Sequence, residues 1–255
     1  MIFIDTHCHL YAGEFNSDIN QVIERAVNTG VNKFYLPAID SSTHEAMLEL
    51  EGRFPGKCFA MAGLHPCSVK ENFRAELKMV ESLLQNRKFA AVGETGLDFY
   101  WDRNFDNQQY EAFHQQIEWA LHYDLPVVIH SRESMRESIA AVKQHQNGKL
   151  KGIFHCFSGT YESACQIIDA GFYLGIGGVL TYKKSALPEV LKNISLEHIV
   201  LETDAPYLTP VPFRGKRNES SYLVYVAEKL AEIKQMGVGE IAATTTANAQ
   251  KLFGS

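Results

Sequence analysis

Strand-like and helix-like segments alternate eight times along the chain, and this alternation restricts the fold more than any other feature. Short runs rich in β-branched and aromatic residues read as buried strands. They fall at Ile2 to Ile4, Lys33 to Ile39, Lys57 to Leu64, Lys88 to Glu94, Pro126 to His130, Lys151 to His155, Phe172 to Ile176 and Glu197 to Thr203. Between them apolar residues recur at helical spacing, most clearly Ile19, Val22, Ile23, Ala26 and Val27 within Asp18 to Gly30. Two further helices, Ser220 to Gln235 and Val238 to Phe253, follow the last strand. Eight βα units in 255 residues predict an α/β protein, a single (β/α)8 TIM barrel over residues 1–255 with an extra C-terminal helix. A doubly wound open sheet would need a glycine-rich phosphate loop after the first strand. Asp5-Thr6-His7-Cys8-His9 stands there instead.

The residues at the predicted strand ends carry the chemistry. The first strand delivers His7 and His9, the third His65, the fourth Glu94, the fifth His130, the sixth His155, and the eighth Glu202 and Asp204. In a barrel these ends meet at one mouth, where active sites sit. Strand parity puts His7 and His9 on one side, with Asp5 deeper on the same side in a structural role. It also groups Glu202 with Asp204. A single strand-end histidine is ordinarily a hydrogen-bonded structural residue. The convergence of six strands is not explained that way. Four histidines and two carboxylates can fill two adjacent metal sites, with one carboxylate bridging.

Composition removes several alternatives. A net charge of −6 gives the chain no general attraction for polyanions, so any nucleic-acid contact needs a local basic patch or bound metal. Five cysteines without a Cys-x-x-Cys pair suit free thiols in a reducing compartment. With no signal-peptide pattern and no apolar run near the ~20 residues of a membrane span, a soluble cytoplasmic protein is expected. Cys8 and Cys156 flank candidate ligands but read as small buried hydrophobes. His44, His114, His122, His145 and His198 receive no chemistry.

Seven motifs identify a family. They are Asp5-Thr6-His7-Cys8-His9, Gly63-Leu64-His65-Pro66, Gly93-Glu94-Thr95-Gly96-Leu97-Asp98, His130-Ser131-Arg132, His155-Cys156-Phe157-Ser158-Gly159, Glu202-Thr203-Asp204-Ala205-Pro206-Tyr207-Leu208 and Arg214-Gly215-Lys216-Arg217-Asn218-Glu219. Together they resemble the TatD-like deoxyribonucleases, metal-dependent hydrolases of the amidohydrolase superfamily. The resemblance implies that His7, His9, Glu94 and Asp204 hold one divalent ion and that Glu94, His130 and His155 hold the other. Mg²⁺ or Mn²⁺ would serve activity, with Zn²⁺ as a further candidate. His65 and Glu202 would lie just outside the ligands, near the scissile phosphate. Relatives in the superfamily often bridge their metals with a carbamylated lysine; Glu94 takes that place here. Ser220 departs from the family, which usually has proline there, and this would loosen the start of the following helix.

The implied reaction is hydrolysis of a phosphodiester, as a 3′-5′ exonuclease on single-stranded DNA, with RNA as a further candidate substrate. Asp204 would orient the attacking water and accept its proton, while His65 or Glu202 helps the leaving oxygen depart. Arg132, Arg214, Lys216 and Arg217 are the candidate substrate-binding residues, since barrels often hold phosphate beside the last strands. No membrane and no obligate protein partner is implied. Two alternatives remain beside this reading: cleavage of another ester or amide, such as an aminoacyl-tRNA ester, and a non-catalytic barrel, which a missing ligand would have signalled.

Overall fold

A computed structural model describes residues 1–254. Eight strands follow one another around a barrel: β1 (Phe3–Asp5), β2 (Val31–Pro37), β3 (Cys58–Met61), β4 (Val92–Asp98), β5 (Val127–Arg132), β6 (Gly152–Phe154), β7 (Phe172–Ile176) and β8 (Ile199–Leu201). The pairing is parallel throughout, from β1 to β3 in one stave and from β4 to β8 in another. Hydrogen bonds cross both seams between the staves. Ala62 N donates to Ala91 O at 3.1 Å and Gly93 N to Ala62 O at 2.8 Å. At the other seam Thr6 donates to Leu201 O through its amide at 3.1 Å and its hydroxyl at 3.0 Å. The (β/α)8 barrel is therefore linked all round, which leaves no sheet edge open.

Outside lie α1 (Ile19–Asn28), α2 (Ser41–Arg53), α3 (Phe73–Asn86), α4 (Asp106–Tyr123), α5 (Met135–His145), α6 (Tyr161–Asp169), α7 (Leu187–Leu191), α8 (Leu223–Lys234) and α9 (Val238–Phe253). The periodic residues of α1 (Ile19, Val22, Ile23 and Ala26) are the buried ones, as their spacing predicts. A second cluster draws one side chain from or beside each of seven strands: Ile4, Tyr35, Met61, Ala91, Val128, Ile153 and Val200. This is the barrel interior. Ala249 and Leu252 of α9 complete it, and Phe253 stacks on Tyr35 with ring centres 3.8 Å apart. Thr246 Oγ1 donates to Ile2 O at 2.8 Å, and Asn248 Nδ2 donates to Leu196 O and Ile199 O. The extra helix is thus a floor across the end of the barrel opposite the mouth.

Two strands differ from their sequence reading. β4 starts at Val92 and runs through Gly96 to Asp98, four residues past the end read from the sequence. Gly96 lies at φ +139°, and a Cβ there would meet His130 O at 2.0 Å. The glycine serves a close approach of β4 to β5, not a turn. β8 stops at Leu201, so strand parity does not place Glu202 and Asp204; Asp204 sits in the left-handed region at φ 56°. The departure at Ser220 also has a structural account. Its buried hydroxyl donates to Asp5 Oδ2 at 2.6 Å, and regular α8 begins three residues later. Burial pushes Asp5 up to about 7, against hydrogen bonds from Ser220 and Thr203 that lower it.

Candidate metal centre

His7 and His9 lie just past β1, where the chain is held by the segment after β8. Asp204 N donates to His7 O at 2.8 Å and His9 N to Ala205 O at 2.7 Å. The two loops thereby fix each other and bring both rings toward Asp204. Cys8 points the other way, buried, with its thiol directed at Tyr35 O. Glu94 stands in mid-β4, and only 2% of it is exposed.

The donors converge in two sets on the two oxygens of Glu94. Oε2 is 3.1 Å from His7 Nε2 and 3.6 Å from His9 Nε2. Asp204 Oδ1 stands 3.6 and 3.5 Å from the same two nitrogens. Oε1 is 3.0 Å from His130 Nδ1, 2.9 Å from His155 Nε2 and 3.3 Å from His65 Nε2. Ligands about 2.1 Å from one ion stand about 3.0–3.4 Å from each other, so these spacings suit metal coordination. His7 Nε2 is fully buried without a hydrogen-bond partner, which a metal would supply. The residue types, imidazole and carboxylate, suit a divalent ion. His65, expected just outside the ligands, is as close to Glu94 as they are.

The electrostatics favour the ligating forms of several members. Burial would raise Glu94, but His155, His65 and His7 outweigh it and hold the carboxyl well below its ordinary range. Burial opposes the ionised form of Asp204 too; His9, His155 and His7 prevail and lower it. Burial holds His7 and His65 low, in the neutral form that binds metal. Cys8 and Cys156 are pushed well above the ordinary thiol value, chiefly by burial, so neither supplies a thiolate.

Two supporting residues complete the centre. Asp98, present in a quoted motif but given no role from sequence, accepts from His130 Nε2 at 2.9 Å. A carboxylate can only accept, so Asp98 keeps a proton on Nε2, and Nδ1, 3.0 Å from Glu94 Oε1, is the nitrogen left to ligate an ion in place of its own proton. Its signal was its spacing: Glu94 and Asp98 share one face of a strand, at period two. Glu202 lies fully buried, with Oε1 accepting from Cys156 N and standing 3.5 Å from His155 Nδ1, while Oε2 has no partner. It fits only because Gly175 lacks a Cβ, which would meet Oε2 at 2.3 Å.

The basic candidates separate. Arg132 and Arg214 are exposed, their guanidinium groups lying over Tyr100 at 3.9 Å and Tyr182 at 3.7 Å. Lys216 is exposed. Arg217 is engaged within the fold: it donates to Asp18 at 2.7 and 2.8 Å and to Glu14 O. A cleft of about 500 Å³ opens beside His9, between Tyr11, Asn16, Asp40 and Tyr207. A larger one of about 680 Å³ lies on the outer surface, with Arg25, Arg217 and Tyr225 in its wall; none of the converging donors reaches it.

Comparison with known proteins agrees with this geometry. A family model described as TatD related DNase matches residues 4–254. The uncharacterised metal-dependent hydrolase YabD of Bacillus subtilis is 39% identical over 254 residues, 99% of each chain. A protein of Edwardsiella piscicida named 3′-5′ ssDNA/RNA exonuclease TatD is 34% identical, covering 98% of each chain. Among solved structures, the TatD homologue YjjV of Escherichia coli K12 superposes with a TM-score of 0.93 at 31% identity, over 99% of this chain and 98% of that one.

Proposed function

From a chain that belongs to the TatD-related DNase family of metal-dependent hydrolases, we propose a phosphodiester hydrolase with a binuclear divalent centre, acting as a single barrel domain on single-stranded DNA or RNA from the 3′ end. The observation that carries this reading is Glu94, whose two oxygens face separate donor sets. His7, His9, Glu94 and Asp204 would hold one ion; Glu94, His130 and His155 would hold the other. Divalent ions, when bound, supply Lewis acidity toward a phosphoryl oxygen and lower the pKa of water.

The protein groups do the rest. Asp204 Oδ1 faces the mouth beside His7 and His9 and can orient water and take its proton. His65, held neutral by burial, can steady the departing oxygen by a hydrogen bond from Nε2–H, directly or through water, while the leaving group takes its proton from solvent. Its Nδ1 accepts from Cys67 N at 3.0 Å, which fixes the ring with Nε2 facing Glu94. Glu202 stands behind His155, with Oε1 3.5 Å from Nδ1, and can orient the ring electrostatically. Arg132, Arg214 and Lys216 supply positive charge around the mouth for the strand's phosphates. The Edwardsiella relative's name supports a nucleic-acid substrate. Five free cysteines favour a reducing cytoplasm, and no helix among the described residues is long and apolar enough to cross a membrane.

The test is hydrolysis of end-labelled single-stranded DNA, duplex DNA, RNA and an aminoacyl ester, each with Mg²⁺, Mn²⁺ or Zn²⁺ and with chelator, resolved on a gel. Metal-dependent shortening of single strands from the 3′ end is expected. Full activity in chelator with negligible metal content, or cleavage of the aminoacyl ester alone, would overturn the reading.

A further inference from the structure

Beyond β4 the chain carries two adjacent exposed aromatics, Tyr100 at 49% and Trp101 at 66%. Large aromatics contribute most when buried, so an indole left two-thirds in water calls for a use. The other tryptophan, Trp119, is buried in the core. The exposed pair is not loose. Asp98 Oδ1 accepts from Tyr100 N at 3.0 Å and from Trp101 N at 3.1 Å, while Oδ2 holds His130. Phe99 N donates to Arg132 O at 2.9 Å, tying this turn to the end of β5. One carboxylate therefore fixes a candidate metal ligand and the aromatic pair in a single frame.

Arg132 completes the surface. Its guanidinium lies 3.9 Å from the Tyr100 ring centre and 5.1 Å from that of Trp101, and the two rings meet edge to face at 4.9 Å. Among the described residues no carboxylate pairs with Arg132, whereas nearby Arg103 is paired with Asp106. Arg132 lies two residues beyond His130 on β5, at the end of the strand that carries this candidate ligand to the mouth. The arrangement offers flat π faces beside a cation with unused donors, at a fixed offset from the metal centre. Unpaired bases stack on such faces whatever their identity, and a guanidinium can take the adjoining phosphate.

We infer that Trp101, with Tyr100 and Arg132, is a stacking subsite for an unpaired nucleobase of the strand whose phosphodiester lies at the metal centre. This rests on the nucleic-acid reading proposed above. It adds a reason for single-strand selectivity: a paired base has no free face to offer.

The test measures anisotropy of a fluorescein-labelled phosphorothioate oligothymidylate, which resists hydrolysis, and of the matching abasic strand. Both are titrated with metal-loaded wild type, Trp101→Ala and Trp101→Phe. Stacking of this kind corresponds to a loss of about tenfold in affinity for the base-bearing strand in Trp101→Ala, partly restored in Trp101→Phe. The abasic strand should change by less than about twofold, since it has nothing to stack. No loss, equal loss on both strands, or a wild type that binds neither strand would overturn the subsite. Gel hydrolysis by wild type separates this from the functional reading. Cleavage without a base-dependent loss removes the platform and keeps the reaction; a base-dependent loss without cleavage does the reverse.

Discussion

Replacing Asp98 by asparagine should cost metal affinity through a proton on the far side of His130. In the wild type Oδ2 accepts from His130 Nε2 at 2.9 Å, so Nδ1, 3.0 Å from Glu94, is the nitrogen that can give up its proton to a metal. Oδ1 is already committed to the amides of Tyr100 and Trp101. Asparagine can keep those two bonds only with its carbonyl oxygen, which turns its NH₂ toward Nε2. An NH₂ group donates, so Nε2 must become the acceptor and the ring proton moves to Nδ1. A protonated Nδ1 cannot ligate. Losing such an outer partner typically costs about 10–100-fold in metal affinity, or roughly 1.4–2.7 kcal/mol. The loss should fall on the ion of His130 and His155 and spare that of His7 and His9, so stoichiometry should drop from two towards one. Calorimetric titration of the metal-free proteins with Mn²⁺ reads both quantities, and circular dichroism confirms that the isosteric variant folds. A folded Asp98→Asn protein with wild-type affinity and stoichiometry would refute the tautomer argument.

Glu94→Ala should retain less metal after gel filtration than His65→Ala, because the two oxygens of Glu94 face separate donor sets; equal, wild-type metal content in elemental analysis would remove Glu94 from the bridging position. Ser220→Ala should lower stability by about 1.5–3 kcal/mol in urea unfolding, since it removes a buried hydroxyl from the Asp5 carboxylate; an unchanged midpoint would show that the family's proline position is free. Arg214→Ala should leave metal content intact, weaken binding to single-stranded DNA and flatten its salt dependence by roughly one unit of slope or less; an unchanged slope in an affinity series would mark a merely solvated charge. Asp18 is held at about 2 against an ordinary 3.8, first by its hydrogen bond from Arg217. The native state therefore binds fewer protons in that window. This contribution is complete above the ordinary value and is lost as pH falls through about 2. Acid unfolding of Arg217→Ala should lack that component, and superimposable profiles for the two proteins would refute it.

The convergence of the candidate ligands was legible in the sequence, though not always for the reason parity supplies. His7 and His9 belong together, but β1 ends at Asp5, and their directions come from backbone bonds to Asp204 and Ala205, about two hundred residues away. Such long-range bonds leave no local mark. The reach of β4 past Gly96 was hidden because one residue type serves both turns and close strand contact. Asp98 was visible within a motif, yet its partner His130 lies on the next strand, so its role emerges only from the register Gly96↔His130 and Asp98↔Arg132. The basic cluster shows the limit most plainly. Arg214 and Arg217 are three residues apart, but Arg217 is claimed by Asp18 beside α1 while Arg214 stays outside. Composition reports charge, and only the fold reports who has already neutralised it.

The floor formed by α9 bears on how the chain comes off the ribosome. The bond that closes the ring, from Thr6 to Leu201, spans 195 residues, and the helix that seals the interior follows every strand. Until both have emerged, the nascent barrel is a curved sheet with two unpaired margins and an apolar lumen open at the base. Nothing made earlier can substitute for either closure. The slow step of folding therefore waits for β8 and α9, where non-local pairing is costliest. A ribosome that stalls shortly before α9 releases a species with all six candidate ligands in the chain and its hydrophobic interior uncovered. Chaperone or protease recognition of that intermediate is thus set by geometry at the base, far from the residues that carry the chemistry.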